Sequence, residues 1–375
     1  MPMSEIIIAP VSGKKELETF IRLPWKIYRD FPNWVPPLLF ERRKILNTEK
    51  NPFYKHAQIE LFIAYRGKEP VGRIAAIKND MHLKYHNDGT GFFGFFECIN
   101  DKEIASRLFD AAAGWIKARG LKSIMGPANP SSNDDWGLLI EGFEIPPAFM
   151  MPYNPPYYIE LIESYGFRKE KDLNGYKITD EGVVKVEKIN RMVNAIRERY
   201  KIEIKKVNMR DYAGELKKVK FVYNRAWAPN WGFIPFTDEE IDAVAADMKP
   251  LIEPNLLLFV ESEGKIIGFT LTLPDYNRIL KEMNGRLFPF GFIKLLTGKR
   301  KIDLARILTL GIIPEYQKKG IDALLYWELV KNAAEIGIRF GEASWILEDN
   351  EMMNKALLNI GGDLYKKYRI YKLDF

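Results

Sequence analysis

Two stretches of this chain carry the same plan, and that duplication limits the folds open to it more than any other feature. Residues 61–72 read as a strand, a turn at Gly67-Lys68 and a second strand ending at Gly72; residues 258–268 repeat this through Gly264-Lys265 to Gly268. Further on, Gly120 after an amphipathic run is echoed by Gly337, and Tyr165-Gly166-Phe167 by Ile360-Gly361-Gly362. The offset is 196 residues at the first pair of glycines, 217 at the second and 195 at the third, so each half holds an insertion that the other lacks. A boundary is expected near residues 178–182. Past it, Val186, Ile189, Val193 and Ile196 recur at helical spacing and open the second half. Both halves then read as strand, helix, mixed strands, helix, strand, helix, strand. The expected fold class is α/β: two domains in tandem, 1–178 and 179–375, each a mixed central β-sheet flanked by helices.

Composition removes several alternatives. With 47% hydrophobic and 13% aromatic residues the chain is not a disordered polyelectrolyte. A net charge of +6 over 375 residues, without a run of five basic residues, gives no reason to expect a nucleic-acid partner. The single Cys98 lies in an apolar strand pattern and fits a reducing compartment. The first residues lack a basic segment followed by an apolar one, and no window reaches 18 uninterrupted apolar residues. The expectation is a cytoplasmic protein, with peripheral contact at the inner face of the membrane left open. His56, His82 and His86 form no convincing ligand set, and no metal is expected.

Residues 310–325 carry the chemistry. An apolar strand runs to Ile312 and Ile313, and Pro314 ends it. A basic turn, Gln317-Lys318-Lys319-Gly320, then leads into a helical run from Ile321, Asp322 and Ala323. A helix start offers unpaired N–H groups and the positive end of the helix dipole, so an anion such as a diphosphate is favoured there. Gly320 would let the backbone approach closely, and the two lysines would add charge. An ordinary β-to-α turn with solvated lysines fits the same residues.

The turn, the second apolar strand, Asn350, a short helix, Gly361-Gly362 and an expected terminal hairpin over 364–373 together resemble the second half of a GNAT-superfamily acyltransferase. In that family Gln/Arg-x-x-Gly-x-Gly/Ala opens the helix that binds coenzyme A; here Gln317 to Asp322 matches until Asp322 stands in the last position. The resemblance extends to tandem GNAT proteins. It implies acetyl-CoA or another acyl-CoA as co-substrate, and N-acyl transfer to an unidentified small-molecule or lipid amine. It further implies that Ile312, Gln317 to Ala323 and Asn350 form the coenzyme site, with Asn350 on the pantetheine arm. Asn350 fits a helix N-cap equally well. The first half has no glycine at the matching turn, and Asn100 and Glu103 there have capping-box spacing, so its coenzyme site is expected to be lost. The family's usual proton handlers are missing as well. Leu357 stands where a Tyr is usual, and the usual early-strand Glu falls near residues 305–307. Asp303 is the nearest carboxylate, and Tyr326, Tyr365, Tyr368 and Tyr371 are the tyrosines that could substitute, against a packing role for them.

Two insertions remain. Asn129, Ser131, Asn133 and Asp134 concentrate short polar side chains in one loop of the first half, suited to an acceptor pocket or to a self-bonded turn. In the second half, Phe288, Phe290 and Phe292 precede Lys299-Arg300-Lys301. Apolar residues beside basic ones suit a membrane surface, the mouth of a site for a greasy substrate, or a plug against the first half. Three readings follow: an acetyl-CoA-dependent N-acyltransferase; a long-chain acyl transferase acting on a lipid amine, loosely similar to bacterial GNAT-like ceramide synthases; and a non-catalytic coenzyme A-binding protein.

Overall fold

The computed structural model describes residues 5–179, 187–289 and 291–375. Val186, part of the expected boundary and Phe290 lie outside them. The chain divides into two compact units. The first takes the chain up to Leu173 with Arg278–Phe292 and Lys366–Phe375; the second takes Asn174–Asn277 and Ile293–Tyr365.

In the first unit, β1 (Ile6–Pro10), β2 (Ala57–Arg66), β3 (Glu69–Asn79) and β4 (Thr90–Cys98) pair antiparallel in that order, and β5 (Ser123–Gly126) joins β4 in parallel. Alternation alone would leave one face of β4 polar. Its residues are instead almost wholly apolar, Phe92, Phe93, Phe95 and Phe96 among them, because both faces are covered. The helix Lys102–Lys117 lays Ile104, Leu108, Phe109, Ala112 and Ile116 along one stripe on this sheet. Phe109 stacks on Phe96 at 4.6 Å and meets Phe93 edge-on at 5.5 Å. Each large side chain buried this way stabilises the unit by about 1.5–3 kcal/mol. Short strands β6 (Ala128–Asn129), β7 (Asp135–Trp136) and β8 (Leu138–Glu141) follow, then the helix Tyr158–Tyr165 and β9 (Arg168–Thr179).

The second unit repeats the plan. β10 (Ile202–Lys206), β11 (Leu257–Ser262), β12 (Lys265–Pro274) and β13 (Leu304–Ile312) are antiparallel in order, and β14 (Phe340–Leu347) is parallel to β13. The irregularities correspond too: β2–β3 shift register at Ala64/Tyr65, and β11–β12 at Val260/Glu261. Such correspondence is what an internal duplication leaves behind. The expected α/β plan, a mixed sheet flanked by helices in each half, is the observed one.

Two local expectations are revised. Residues 364–373 form no hairpin; β15 (Asp363–Asp374) is one strand of 12 residues. Its middle, Lys366-Lys367-Tyr368-Arg369, holds no turn-forming residue and alternates buried with less buried side chains. Its last four residues pair with β5, with Tyr371 opposite Gly126, so the C-terminal strand completes the first unit's sheet. The helix Lys102–Lys117 is capped by Asp101 rather than Asn100: the Asp101 carboxylate accepts from the N–H groups of Glu103 (3.0 Å) and Ile104 (3.2 Å). Arg66 pairs with the same carboxylate. Asp and Asn cap equally well, so the salt bridge settles which of them does.

Candidate active site

The two units differ most where their parallel strands meet. In the second unit β13 and β14 pair through only four residues, from Leu304↔Phe340 to Ile307↔Ala343. Beyond these, β13 runs on to Ile312 and β14 to Leu347 without pairing with each other, leaving a gap between two strand segments whose backbone groups face it. A register shift in the β12–β13 ladder, which passes from Leu271↔Thr309 to Thr272↔Ile307, places Leu308 as an extra residue at the start of the gap.

In the first unit the equivalent gap is filled. β4 and β5 pair over Thr90–Phe92, and the chain beyond β5 then turns back into the opening. A Cβ on Gly94 would lie 1.7 Å from the Ala128 carbonyl oxygen, so only glycine fits. The N–H of Phe95 donates to Asn129 Oδ1 at 2.5 Å. Asn129, proposed from sequence as an acceptor residue, is thus held by the backbone of β4. Ser131 Oγ donates to Asp134 at 2.7 Å and accepts from the N–H of Asn133 at 3.1 Å, so these three close a turn among themselves.

The helix starts differ in the same sense. Gly320 caps the helix Ile321–Glu335 at φ +77° and contributes no side-chain hydrogen bond, so the first-turn N–H groups of Ile321, Asp322 and Ala323 are not taken by a cap as those after Asp101 are. Gln317 Nε2 donates to the Ile312 carbonyl at 2.9 Å and ties the turn to the end of β13. Lys318 adopts φ +59°, and Lys319 Nζ donates to the Glu315 carbonyl at 2.8 Å while lying 4.6 Å from the Tyr316 ring. Asp322 sits in the first helical turn, where a carboxylate complements the dipole. Asn350 caps the helix Glu351–Asn359, accepting from the N–H of Met353 at 3.2 Å.

The proton-handling candidates do not converge. The Asp303 carbonyl accepts from the N–H groups of Arg339 (2.8 Å) and Phe340 (2.9 Å) at the paired end of β13, away from the gap. Tyr326 directs its hydroxyl at Met353 Sδ, 3.7 Å away; burial first and the Asp322 charge second raise its phenol above the ordinary value. Tyr368 is fully buried in the first unit. Leu357 is a core residue at 1% exposure.

Sequence reasoning named Tyr365 among four candidate tyrosines but missed the polar cluster that it joins at the mouth of the gap. Arg306 and Glu342 are register partners on β13 and β14, and Ser344 is two residues beyond Glu342, so the three side chains share a sheet face. All three are buried, at 3%, 1% and 6% exposure. Arg306 Nε donates to Ser344 Oγ at 3.2 Å, Ser344 Oγ donates to Glu342 Oε1 at 2.8 Å, and the half-buried Tyr365 donates its hydroxyl to Glu342 Oε2. The Arg306 guanidinium also lies over Trp345, 5.1 Å from the ring centre. Thr309, paired with Leu271 as Arg306 is with Leu273, faces the same way; its buried hydroxyl has no hydrogen-bond partner. The available signal was an ionisable residue inside each of two apolar strands, Arg306 in β13 and Glu342 in β14. Among the described residues no group of three or more His, Cys, Asp or Glu is placed to hold a metal, and no helix is long and apolar enough to cross a membrane.

No family model matches the chain. It is 35% identical over 366 residues to Protein YghO of Escherichia coli (strain K12), covering 96% of this chain and 93% of that protein. It is 33% identical over 377 residues to the bacterial ceramide synthase of Caulobacter vibrioides, covering 98% and 97%. Among solved structures, the tandem GNAT protein from the clavulanic acid biosynthesis pathway superposes with a TM-score of 0.57 at 12% identity over 99% of this chain and 98% of that one. A GCN5-related glucosamine N-acetyltransferase region of a fungal multi-domain GH3 β-N-acetylglucosaminidase gives 0.58 at 13% identity; the match covers 99% of this chain but 38% of that longer one. At such identities the structures speak for the fold, and the two full-length relatives speak for the family. The chain belongs to the family of Protein YghO and the Caulobacter bacterial ceramide synthase, and its fold is that of the tandem GNAT proteins.

Proposed function

We propose that this protein transfers an acyl group from acyl-CoA to the amine of a long-chain lipid, with the second half binding the coenzyme. The observation that carries the reading is the open β13–β14 gap beside a helix start whose N–H groups no side chain caps, set against the filled gap and capped helix of the first half. The Gly320 turn suits the diphosphate, and the unpaired strand edges suit the amide-bearing pantetheine arm. Positioning the thioester for attack by the amine nitrogen is the main work asked of such a site. The acceptor class follows the Caulobacter relative, since a ceramide is the amide of a long-chain amino alcohol. It is supported by Phe288 and Phe292, 74% and 50% exposed, in a segment that continues to the exposed Arg300 and Lys301. Apolar and basic residues together favour encounter with substrate at an anionic membrane surface.

Release of free thiol, measured with palmitoyl-CoA or acetyl-CoA and a long-chain amino alcohol, tests the reading directly. Cys98 is buried and its thiol is pushed up by burial, so the signal belongs to coenzyme A. Thiol release that requires both the long-chain donor and the amine is expected. Preference for acetyl-CoA with a small amine would replace the lipid acceptor, and coenzyme binding without release would leave a binding protein.

A further inference from the structure

A buried Arg–Glu pair in the interior of a sheet costs stability relative to apolar residues of the same size, because both charges leave water. The second unit keeps a buried Arg and a buried Glu as register partners, bridged by Ser344, where β13 and β14 part. Arg306 and Glu342 stand one register step before the last β13–β14 pair, and Ser344 stands just past it. The cluster is directional. Both oxygens of Glu342 accept hydrogen bonds, one from the buried Ser344 and one from Tyr365, and only Tyr365 is partly exposed. Of the groups bonded to Glu342, Tyr365 is therefore the one that links it to solvent. Thr309 adds an independent sign that this face of the gap receives a polar group: its hydroxyl is buried and unpartnered on the same face, at a cost of about 1–3 kcal/mol unless something binds there. Gly311, the next residue on that face, would place a Cβ 2.2 Å from the Trp227 ring, so the helix Tyr212–Trp227 covers the gap from this side.

We infer that Tyr365 and Glu342 form the proton relay that deprotonates the acceptor amine during acyl transfer. This rests on the acyl-CoA reading given above. As the amine nitrogen attacks the thioester carbonyl, a C–N bond forms and the C–S bond breaks, its electron pair leaving with the thiolate. The proton from nitrogen passes to the Tyr365 oxygen while the Tyr365 proton passes to Glu342, and it later neutralises the thiolate directly or through solvent. The products are an amide and coenzyme A thiol, so atoms and charge balance. Tyr365 is the catalytic residue. Glu342 is its proton acceptor; Ser344, which accepts from Arg306, and Tyr365 each donate to one of its two oxygens.

The test uses the full chain, a long-chain acyl-CoA and a long-chain amino alcohol, with Tyr365→Phe and Glu342→Gln. Expected for both variants is a fall in kcat of about 100-fold or more, the range of general base catalysis, with coenzyme affinity by calorimetry within about twofold. The limb of the wild-type pH profile that reports the base should disappear in Glu342→Gln. A Tyr365→Phe variant with wild-type kcat and pH profile overturns the relay. Should Glu342→Gln fail to fold, Tyr365→Phe decides alone, because its half-exposed ring leaves the packed core in place. A wild-type protein that binds no acyl-CoA or forms no amide removes the acyltransferase reading and the relay with it, which is a different outcome from an active enzyme indifferent to Tyr365.

Discussion

Gly320 and Gly337 lie at opposite ends of one helix in the same left-handed conformation, at φ +77° and +84°, and this makes a controlled experiment of a single methyl group. Placing alanine in that region costs roughly 1–2 kcal/mol through the clash of Cβ with the following carbonyl. At Gly337 the added Cβ meets nothing within 4 Å, so strain is the whole effect. At Gly320 it comes within 2.8 Å of Ile196 Cδ1, the end of a flexible side chain that can rotate away, and no capping bond is lost because glycine made none. Both Gly320→Ala and Gly337→Ala should therefore lower unfolding free energy in urea by about 1–2 kcal/mol. Their coenzyme binding should separate. Relief of strain at Gly320 turns the first-turn N–H groups, and loss of one hydrogen bond to a charged phosphate is worth ~1.5–3 kcal/mol, so affinity should fall tenfold or more. Gly337→Ala should leave affinity within twofold. Equal binding by the two variants, with both folded, would refute the placement of the diphosphate at this turn.

Asn129→Ala leaves the Phe95 N–H inside the first unit without its acceptor and should cost about 1–3 kcal/mol in urea denaturation, with coenzyme binding unchanged; an unaffected midpoint would show that the filled gap is not held by this bond. The Asp101 carboxyl is raised by burial but held below its ordinary 3.8 overall by Arg66 and the N–H groups of Ile104 and Glu103, so its contribution is fully present above pH 3.8 and is lost as pH falls through the lower folded value. Asp101→Ala should accordingly destabilise by about 0.5–2 kcal/mol at pH 7 and by progressively less as pH falls below 3.8, and a pH-independent difference would contradict this. Because Phe288 and Phe292 are exposed, replacing both with Ser should change stability by no more than about 0.5 kcal/mol while reducing sedimentation with anionic vesicles; a large loss of stability would favour the plug reading instead.

The architecture was legible because it rests on local signals that occur twice: the Gly-Lys hairpins, the helical stripes and the glycines at helix ends. The helix start at Gly320 was legible in the same way, since a glycine between a basic turn and an apolar helical run suits the left-handed cap that the structure shows there. The terminal strand was not. Whether residues 363–374 fold on themselves or lie alongside β5 depends on a partner more than 200 residues away in the chain, and nothing in Lys366-Lys367-Tyr368-Arg369 states it. The cluster around Glu342 was missed for a related reason. Arg306, Glu342, Ser344 and Tyr365 come from three strands, and their meeting is a consequence of register. Tyr365 reads as one of several aromatics in a terminal strand until Glu342 is seen beneath it.

The asymmetry of the halves also has a local origin. After β5 the first half reads Gly126-Pro127-Ala128-Asn129-Pro130, and each proline disfavours helix in the residue before it and removes a ladder donor, so the chain leaves the sheet at once and folds back on β4. At the matching place the second half reads Ala343-Ser344-Trp345-Ile346-Leu347, an unbroken strand-forming run that carries β14 straight past the opening. One plan thus gives a closed gap where the chain turns back into it and an open one where it does not. The helix that follows each fourth strand is consistent with the same division: a carboxylate satisfies the first turn after Asp101 and repels phosphate, whereas Gly320 leaves the first turn uncapped. Two independent features would therefore have to change before the first half could match the second.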